Sequence, residues 1–285
     1  MKRIIPLLIA SVAILLSSCA NVDEGDRYIK VESSEAKRAV LVEEFTGQRC
    51  INCPEAHEEL AKIQKEYGEN NVITVCIHAS ALAVSPLKTS VGEEYFKHWN
   101  GASLPCAVIN RNTSALGVSA WAGVINSELQ KTTNVKLSMA NNYNAANRQL
   151  SIDVNALSSE KLNGKLQVWI VEDGIVAVQL LKGNRKDKNY VHNHVFRAAV
   201  NGTWGTDIAL QENVEAKNNF SIQLDSKWNE KNVSIVAFVY NDSGVQQVIK
   251  QHINEKNITR SSRIVLNKYG SNGSKCKIGT PVCRR

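Results

Sequence analysis

The sequence has no basic stripe with interleaved aromatics, no internal repeat and no second Cys-x-x-Cys motif. Its N-terminal apolar run, Ile4 to Leu16, counts 13 residues; a bilayer core needs about 20, so this run does not read as a permanent transmembrane helix. Without the basic stripe, the formal charge of +7 gives no reason to expect a nucleic-acid partner. With no second Cys-x-x-Cys and no nearby histidine pair, a zinc site built on the first motif lacks ligands.

What the N-terminus does carry is a secretion signal. Lys2 and Arg3 precede the apolar run, and Ser17 and Ser18 lead into Cys19. Leu16-Ser17-Ser18-Cys19 resembles a lipobox, in which the cysteine is acylated before cleavage, so the expected anchor is lipid on Cys19. Several acyl chains on one residue hold durably, since each buried methylene contributes about 0.8 kcal/mol. Loss of residues 1–18 leaves 267 of 285 residues and takes the charge from +7 to +5. That length suggests two domains, and the mild basic excess suits an anionic envelope surface. Six cysteines remain after Cys19: Cys50, Cys53, Cys76, Cys106, Cys276 and Cys283. Outside the cytoplasm they can form lasting disulfides.

Residues 19–36 are polar and without period, which reads as a lipidated tether. From Lys37 the pattern is strand (Ala39–Phe45), helix (Pro54–Tyr67), strand (Asn71–His78), helix (Val91–Trp99), strand (Cys106–Asn110) and helix (Ser119–Lys131). After Thr133 the period becomes two: Val135, Leu137, Met139; Leu150, Ile152, Val154; Leu166, Val168, Ile170; Phe220, Ile222, Leu224. These read as half-buried antiparallel strands, with Val233–Tyr240 a central one and Val245–His252 the last. The stretch Asn184–Gly205 reads as a long loop with room for function. The fold class expected is α+β overall: an α/β domain over 37–131, an all-β immunoglobulin-like sandwich over 132–255, and a polar tail over 256–285.

Cys50-Ile51-Asn52-Cys53 falls between the first strand and the first helix, with Arg49 beside it. A thiolate at a helix N-terminus is favoured by the dipole and by free backbone amides, so Cys50 is placed to attack a disulfide and Cys53 to resolve the mixed intermediate. The spacing leaves three readings open: a redox pair, an inert disulfide, or half of a metal site.

The strand ending Val42-Glu43-Glu44-Phe45, the Cys-x-x-Cys at a helix start, and Leu104-Pro105 before a later strand resemble the thioredoxin fold from Lys37 to Lys131. The resemblance implies that Glu44 lies under Cys53 and carries its proton, and that Pro105 is a cis-proline guiding an extended substrate. The hairpin strand that normally follows is not evident in Arg111–Val118.

Cys106, next to Pro105, is a conceivable third redox thiol, whereas Cys76 within an apolar strand reads as a small buried hydrophobe. Cys276 and Cys283 bracket a short loop and are expected to form a structural disulfide. His192 and His194 share one face if extended, a partial metal site without a third ligand, and His57 reads as a solvated helix residue that could perturb the cysteines. Trp121, Trp169, Trp204 and Trp228 read as packing residues. No cofactor and no metal are expected.

Together the lipobox, Glu43 to Gly47 leading to Cys50–Pro54, Tyr190–Val195 and Asn201–Gly205 resemble the Bacteroidetes outer membrane protein twenty-eight family of lipoproteins. The resemblance implies a thioredoxin-like domain before an immunoglobulin-like one, on the outer membrane. Ala20 is unlike the aspartate that retains lipoproteins in the inner membrane, and Asp23-Glu24 resembles acidic signals for surface export. Two functions follow as expectations. One is thiol-disulfide exchange through Cys50 and Cys53 with a thiol substrate; the other is a surface binding protein or adhesin whose Cys-x-x-Cys is a structural disulfide. The expected partners are the membrane, through Cys19, and a protein, with no nucleic acid.

Overall fold

The computed structural model describes residues 36–253 and 258–259. The signal, Cys19, the tether up to residue 35, Cys276 and Cys283 lie outside them. Short β1 (Ala36–Lys37) pairs with β5 (Thr132–Thr133). Between them run β2 (Val40–Thr46), α1 (Cys53–Tyr67), β3 (Val72–His78), α2 (Ser90–His98), β4 (Cys106–Ile109) and α3 (Val118–Leu129). The expected strand-helix alternation is thus present, shifted by a residue or two at its ends. Arg111 to Val118 makes a single antiparallel bridge, Ala107 to Leu116, in place of a further strand.

Beyond β5 come β6 (Val135–Asn144), β7 (Gln149–Ser158), β8 (Leu162–Glu172), β9 (Ile175–Leu181), β10 (Arg185–His192), β11 (Val195–Ala199), β12 (Thr206–Leu210), β13 (Ala216–Gln223), β14 (Val233–Asn241), β15 (Gly244–His252) and β16 (Ile258–Thr259). The described chain is therefore a β-rich α+β fold. One sheet of eight strands runs in the order β15-β14-β8-β11-β3-β2-β4, with β12 on β8. It takes strands from both sides of the expected boundary at residue 131, joined where β11 pairs parallel to β3. A four-stranded sheet, β13-β7-β6-β16, packs over the β8 and β14 end.

Period-two alternation explains the layering. In β8, Leu166, Val168 and Ile170 face the core shared with β6 and β7, while Trp169 and Val171 face a second core with Phe196, Phe238 and Tyr95. A strand buried on both faces needs apolar residues at both parities. β8 from Leu166 onward is buried at every position, not half-buried as expected. β2 and β3 are buried throughout for the same reason. Leu41 and Phe45 join the second core, and Val40 and Val42 join a third under α1 and α3.

The stretch expected as a long loop, Asn184–Gly205, holds β10 and β11. β9 and β10 form a two-stranded hairpin of their own, with the reversal at Gly183 and Asn184, both at positive φ. Arg185, Lys186, Asp187 and Lys188 give β10 no apolar alternation, because most of that strand's side chains are exposed.

Candidate functional site

The parity of β2 decides which side chains meet α1. Glu43 faces the aromatic core, while Glu44 and Thr46 share the α1 side with Val40 and Val42. Across the ladder Glu44 pairs with Cys76 and Thr46 with His78, so these four residues share one patch of sheet. The chain then turns at Gly47, where a β-carbon would stand 2.7 Å from the Leu82 carbonyl carbon and oxygen; only glycine lets the two backbones come this close.

After that turn lies the Cys50–Cys53 disulfide, Cα to Cα 5.5 Å. Cys53 begins α1, Pro54 follows in its first turn, and Ala56, Leu60 and Ile63 anchor the helix to the third core. The Cys50 amide donates to the Gly47 carbonyl at 3.0 Å. Arg49 is exposed, as is Ile51 at 48%, but the cysteines are not: Cys50 is 3% exposed and Cys53 is fully buried.

The cover is the β9–β10 hairpin. Gln179 donates its side-chain amide to the Cys50 carbonyl at 2.8 Å, the Leu180 amide donates to the Gln48 carbonyl at 2.8 Å, and Lys182 reaches Glu55. Nothing in the sequence marked Gln179 as part of the site. Its only signal was a lone polar residue among valines and leucines. The hairpin's outer side exposes Val176, Val178 and Val191.

Leu104-Pro105 is a cis peptide, and Pro105 precedes Cys106, which pairs with Phe45 at the same end of β2 as the turn. Cys106 packs in the second core, on the other side of the sheet from α1. Burial, and then the charge of Glu44, push its thiol up to about 11, which keeps it protonated at neutral pH and makes it a poor third redox thiol. Cys76 is buried, as expected of a small hydrophobe, but it is not in an apolar setting.

Between α1, β3 and the hairpin lies a cavity of about 220 Å³ lined by the polar side chains of His57, Thr74, Cys76, His78, Tyr190 and His192 among others. His57 is not a solvated helix histidine. Its Nε2 lies 3.0 Å from Thr46 Oγ1 and 3.6 Å from Glu44 Oε2, and its Nδ1 lies 2.8 Å from Tyr190 Oη. Glu44 is fully buried, and neither of its oxygens makes a hydrogen bond of ordinary geometry; the same holds for both ring nitrogens of His78 and of His192. The rings of His78 and His192 stand 5.2 Å apart. Burial, and then nearby His57, push His192 down to about 4, and burial with His192 lowers His78 well below the usual range. Burial and Glu44 push the Cys76 thiol well above its ordinary value.

His192 and His194 do not act together. β10 ends at His192, and His194 has a φ of 56°, which breaks the alternation. His194 instead meets Asp173 at 3.0 Å and Lys250 at 3.3 Å. A separate, larger cleft of about 940 Å³ is lined by Trp99, Arg111, Trp204, Asp207 and Tyr240 and contains none of the cysteines. The tryptophans do more than fill space. Trp169 and Trp204 flank Arg111, with its guanidinium carbon 5.2 and 5.6 Å from their ring centres, and Trp204 also donates to Glu94 at 2.9 Å.

No curated protein matches the chain. Among solved structures, HBP35 of Porphyromonas gingivalis is similar in fold, with a TM-score of 0.64 at 14% identity over 86% of this chain and 80% of that one. A domain of the outer membrane lipoprotein Omp28 from the same organism aligns at 20% identity over 44% of this chain and 91% of that one, with a TM-score of 0.32. Residues 92–257, more than half of the chain, match the family described as outer membrane protein Omp28. The chain belongs to that family and is a protein of the outer membrane.

Proposed function

We propose that this outer membrane protein is a lipoprotein, acylated at Cys19, that carries out thiol-disulfide exchange at Cys50 and Cys53. The observation that carries the reading is the disulfide across the N-terminus of α1, at the end of a strand that brings buried Glu44 to the α1 side. Residues 37–131 are read as the thioredoxin-like unit and 132–255 as an immunoglobulin-like unit fused to it through the shared sheet. In the oxidising direction a substrate thiolate attacks Cys50 Sγ, the Cys50–Cys53 bond breaks, and Cys53 leaves as the thiolate, stabilised by the free amides of the helix N-terminus. A second substrate thiolate then attacks the substrate sulfur of the mixed disulfide and expels Cys50. Two electrons pass from substrate to protein. Glu44 relays the proton taken up by Cys53, and Pro105 guides the extended substrate. The reverse sequence reduces a substrate disulfide.

The test is insulin reduction with dithiothreitol as the electron source. Turnover by the wild type that disappears in Cys50→Ser is the expected result; no turnover, or the same turnover in Cys50→Ser, removes the reading.

A second reading rests on the exposed Val176, Val178 and Val191, an apolar strip on the hairpin that covers the motif. Here the protein is a surface binder or adhesin and Cys50–Cys53 is a structural disulfide. A pull-down from envelope or host extracts that survives Cys50→Ser but is lost on replacing the three valines with serine would favour it.

A further inference from the structure

We propose that Glu44, His57 and Cys76 form a binding site for a divalent transition-metal ion, best suited to zinc. One ligand atom from each of the three lies within 4.8 Å of the other two. A tetrahedral zinc ion with bonds of about 2.0–2.3 Å holds its ligands roughly 3.3–3.8 Å apart. His57 Nε2 and Glu44 Oε2 are already 3.6 Å apart, so Cys76 needs to close by no more than about 1 Å.

Three further observations point to a cation. Glu44 is fully buried, neither carboxylate oxygen makes a hydrogen bond of ordinary geometry, and the polar groups beside it are His57 Nε2 at 3.6 Å and the Cys76 thiol, the other two members of the set; a buried carboxylate so thinly partnered is stabilised by a cation. His57 is oriented from behind: with Tyr190 Oη at 2.8 Å from Nδ1, that nitrogen can carry the proton and leave Nε2 as the ligand, the kind of outer-shell partner metal-bound imidazoles use. Thr46 Oγ1 gives up its contact with Nε2 when the ion binds. Finally, the site opens on the cavity lined by His78 and His192, whose ring nitrogens make no hydrogen bond of ordinary geometry. A water in this cavity supplies the fourth ligand.

The charges balance. Cys76 loses its proton to solvent on binding, so a carboxylate, a thiolate and a neutral imidazole bring two negative charges to a 2+ ion. Mixed sulfur, nitrogen and oxygen ligands favour zinc over magnesium or calcium. Sequence spacing did not reveal the set, because its members come from β2, α1 and β3, at positions 44, 57 and 76, with no local motif among them.

The site shares Glu44 with the exchange reading but not its cysteines, and its readout is spectroscopic with Cys50–Cys53 kept oxidised, so the two can fail separately. The full lipoprotein in detergent, stripped by chelator and free of reductant, is titrated with cobalt(II) and then with zinc(II) in competition. One equivalent of cobalt should give intense visible bands of a tetrahedral ion and a near-ultraviolet thiolate charge-transfer band, both removed by one equivalent of zinc. Cys76→Ser should abolish the charge-transfer band. His57→Gln, at a partly exposed helix position where folding is tolerant, should weaken binding at least tenfold with an unchanged circular dichroism spectrum. Cys106→Ser, on the other side of the sheet, should leave the band intact. Absence of a tetrahedral cobalt spectrum in the wild type, or binding that is indifferent to Cys76→Ser and His57→Gln, overturns the proposal. So does a band lost in Cys106→Ser and kept in Cys76→Ser.

Discussion

Arg111 shows what a single residue does in this fold and why a sequence hides it. Its side chain is buried, its Nε donates to Glu43 at 2.7 Å and its Nη2 to the other carboxylate oxygen at 3.3 Å. The guanidinium also lies 4.5 to 5.6 Å from the ring centres of Tyr95, Trp169, Trp204, Phe238 and Tyr240. Burial alone would lower its pKa, but Glu43 more than offsets this, so it stays charged. Removing one member of such a pair leaves the other buried and uncompensated. Arg111→Ala should therefore lower stability by about 3–5 kcal/mol, read as a shift of the urea midpoint; a loss within the about 0.5 kcal/mol of an ordinary surface change would show that the pair contributes nothing. In the sequence, Arg111 and Glu43 stand 68 positions apart and the five aromatics are scattered. Only closure of the sheet brings them together. Cys106 makes a second residue-scale case. With its thiol pushed up to about 11, it should resist iodoacetamide at pH 8 in the native protein and react once the protein is unfolded in urea. Fast native labelling, mapped to Cys106 by peptide mass, would contradict the burial.

At the scale of elements, the β9–β10 hairpin is the piece that decides access to the disulfide. It is held over Cys50 by three backbone-directed hydrogen bonds, Gln179 to the Cys50 and Gly47 carbonyls and Leu180 to the Gln48 carbonyl, by the Tyr190–His57 contact, and by the exposed Lys182–Glu55 pair. An exposed pair contributes little, whereas loss of a buried hydrogen bond costs roughly 1–1.5 kcal/mol, about a tenfold change in the population of an opened state. Gln179→Ala should therefore raise the rate at which dithiothreitol reduces Cys50–Cys53 by about tenfold. An unchanged rate would mean that reduction does not pass through an opening of the hairpin. Elements with strong periodicity were legible in the sequence: α1, β3 and α3 stand within a residue or two of their expected bounds, and β6 and β7 begin where their alternation does but run four or five residues beyond it. The hairpin was not, because its pattern is fixed by what it covers and not by a core of its own. Gln179 is buried only because the Cys-x-x-Cys turn lies beneath it. The same reason hid the polar cavity. Glu44 and Cys76 were each singled out by sequence, yet their direct opposition in the β2–β3 register is a property of the ladder.

For the whole molecule, the buried histidines tie stability to pH. His192 falls from an ordinary 6.5 to about 4, chiefly by burial and then by His57, and His78 is also lowered, by burial and then by His192. A base whose folded pKa lies below its unfolded one is neutral in both states above pH 6.5, so its contribution is fully present there. As pH drops below 6.5 the unfolded chain takes up a proton that the folded chain refuses, and stability is lost until the folded form also protonates near 4. For His192 this amounts to a loss on the order of 3 kcal/mol, and His78 adds to it with the same sign. The carboxylate of Asp173, held low by His194 and Lys250 despite burial, contributes its stability in full above its unfolded value of 3.8 and loses it only below that, outside this window, whereas Glu172, raised chiefly by burial, offsets part of the decline near the window's lower end. Urea midpoints measured from pH 7.5 to 4 with chelator present should therefore decline steadily below 6.5. His192→Asn, which has no proton to gain, should decline less steeply. Equal slopes in the two proteins would mean that the interior gives His192 a proton as readily as water does, and that the cavity between α1, β3 and the hairpin is open to solvent.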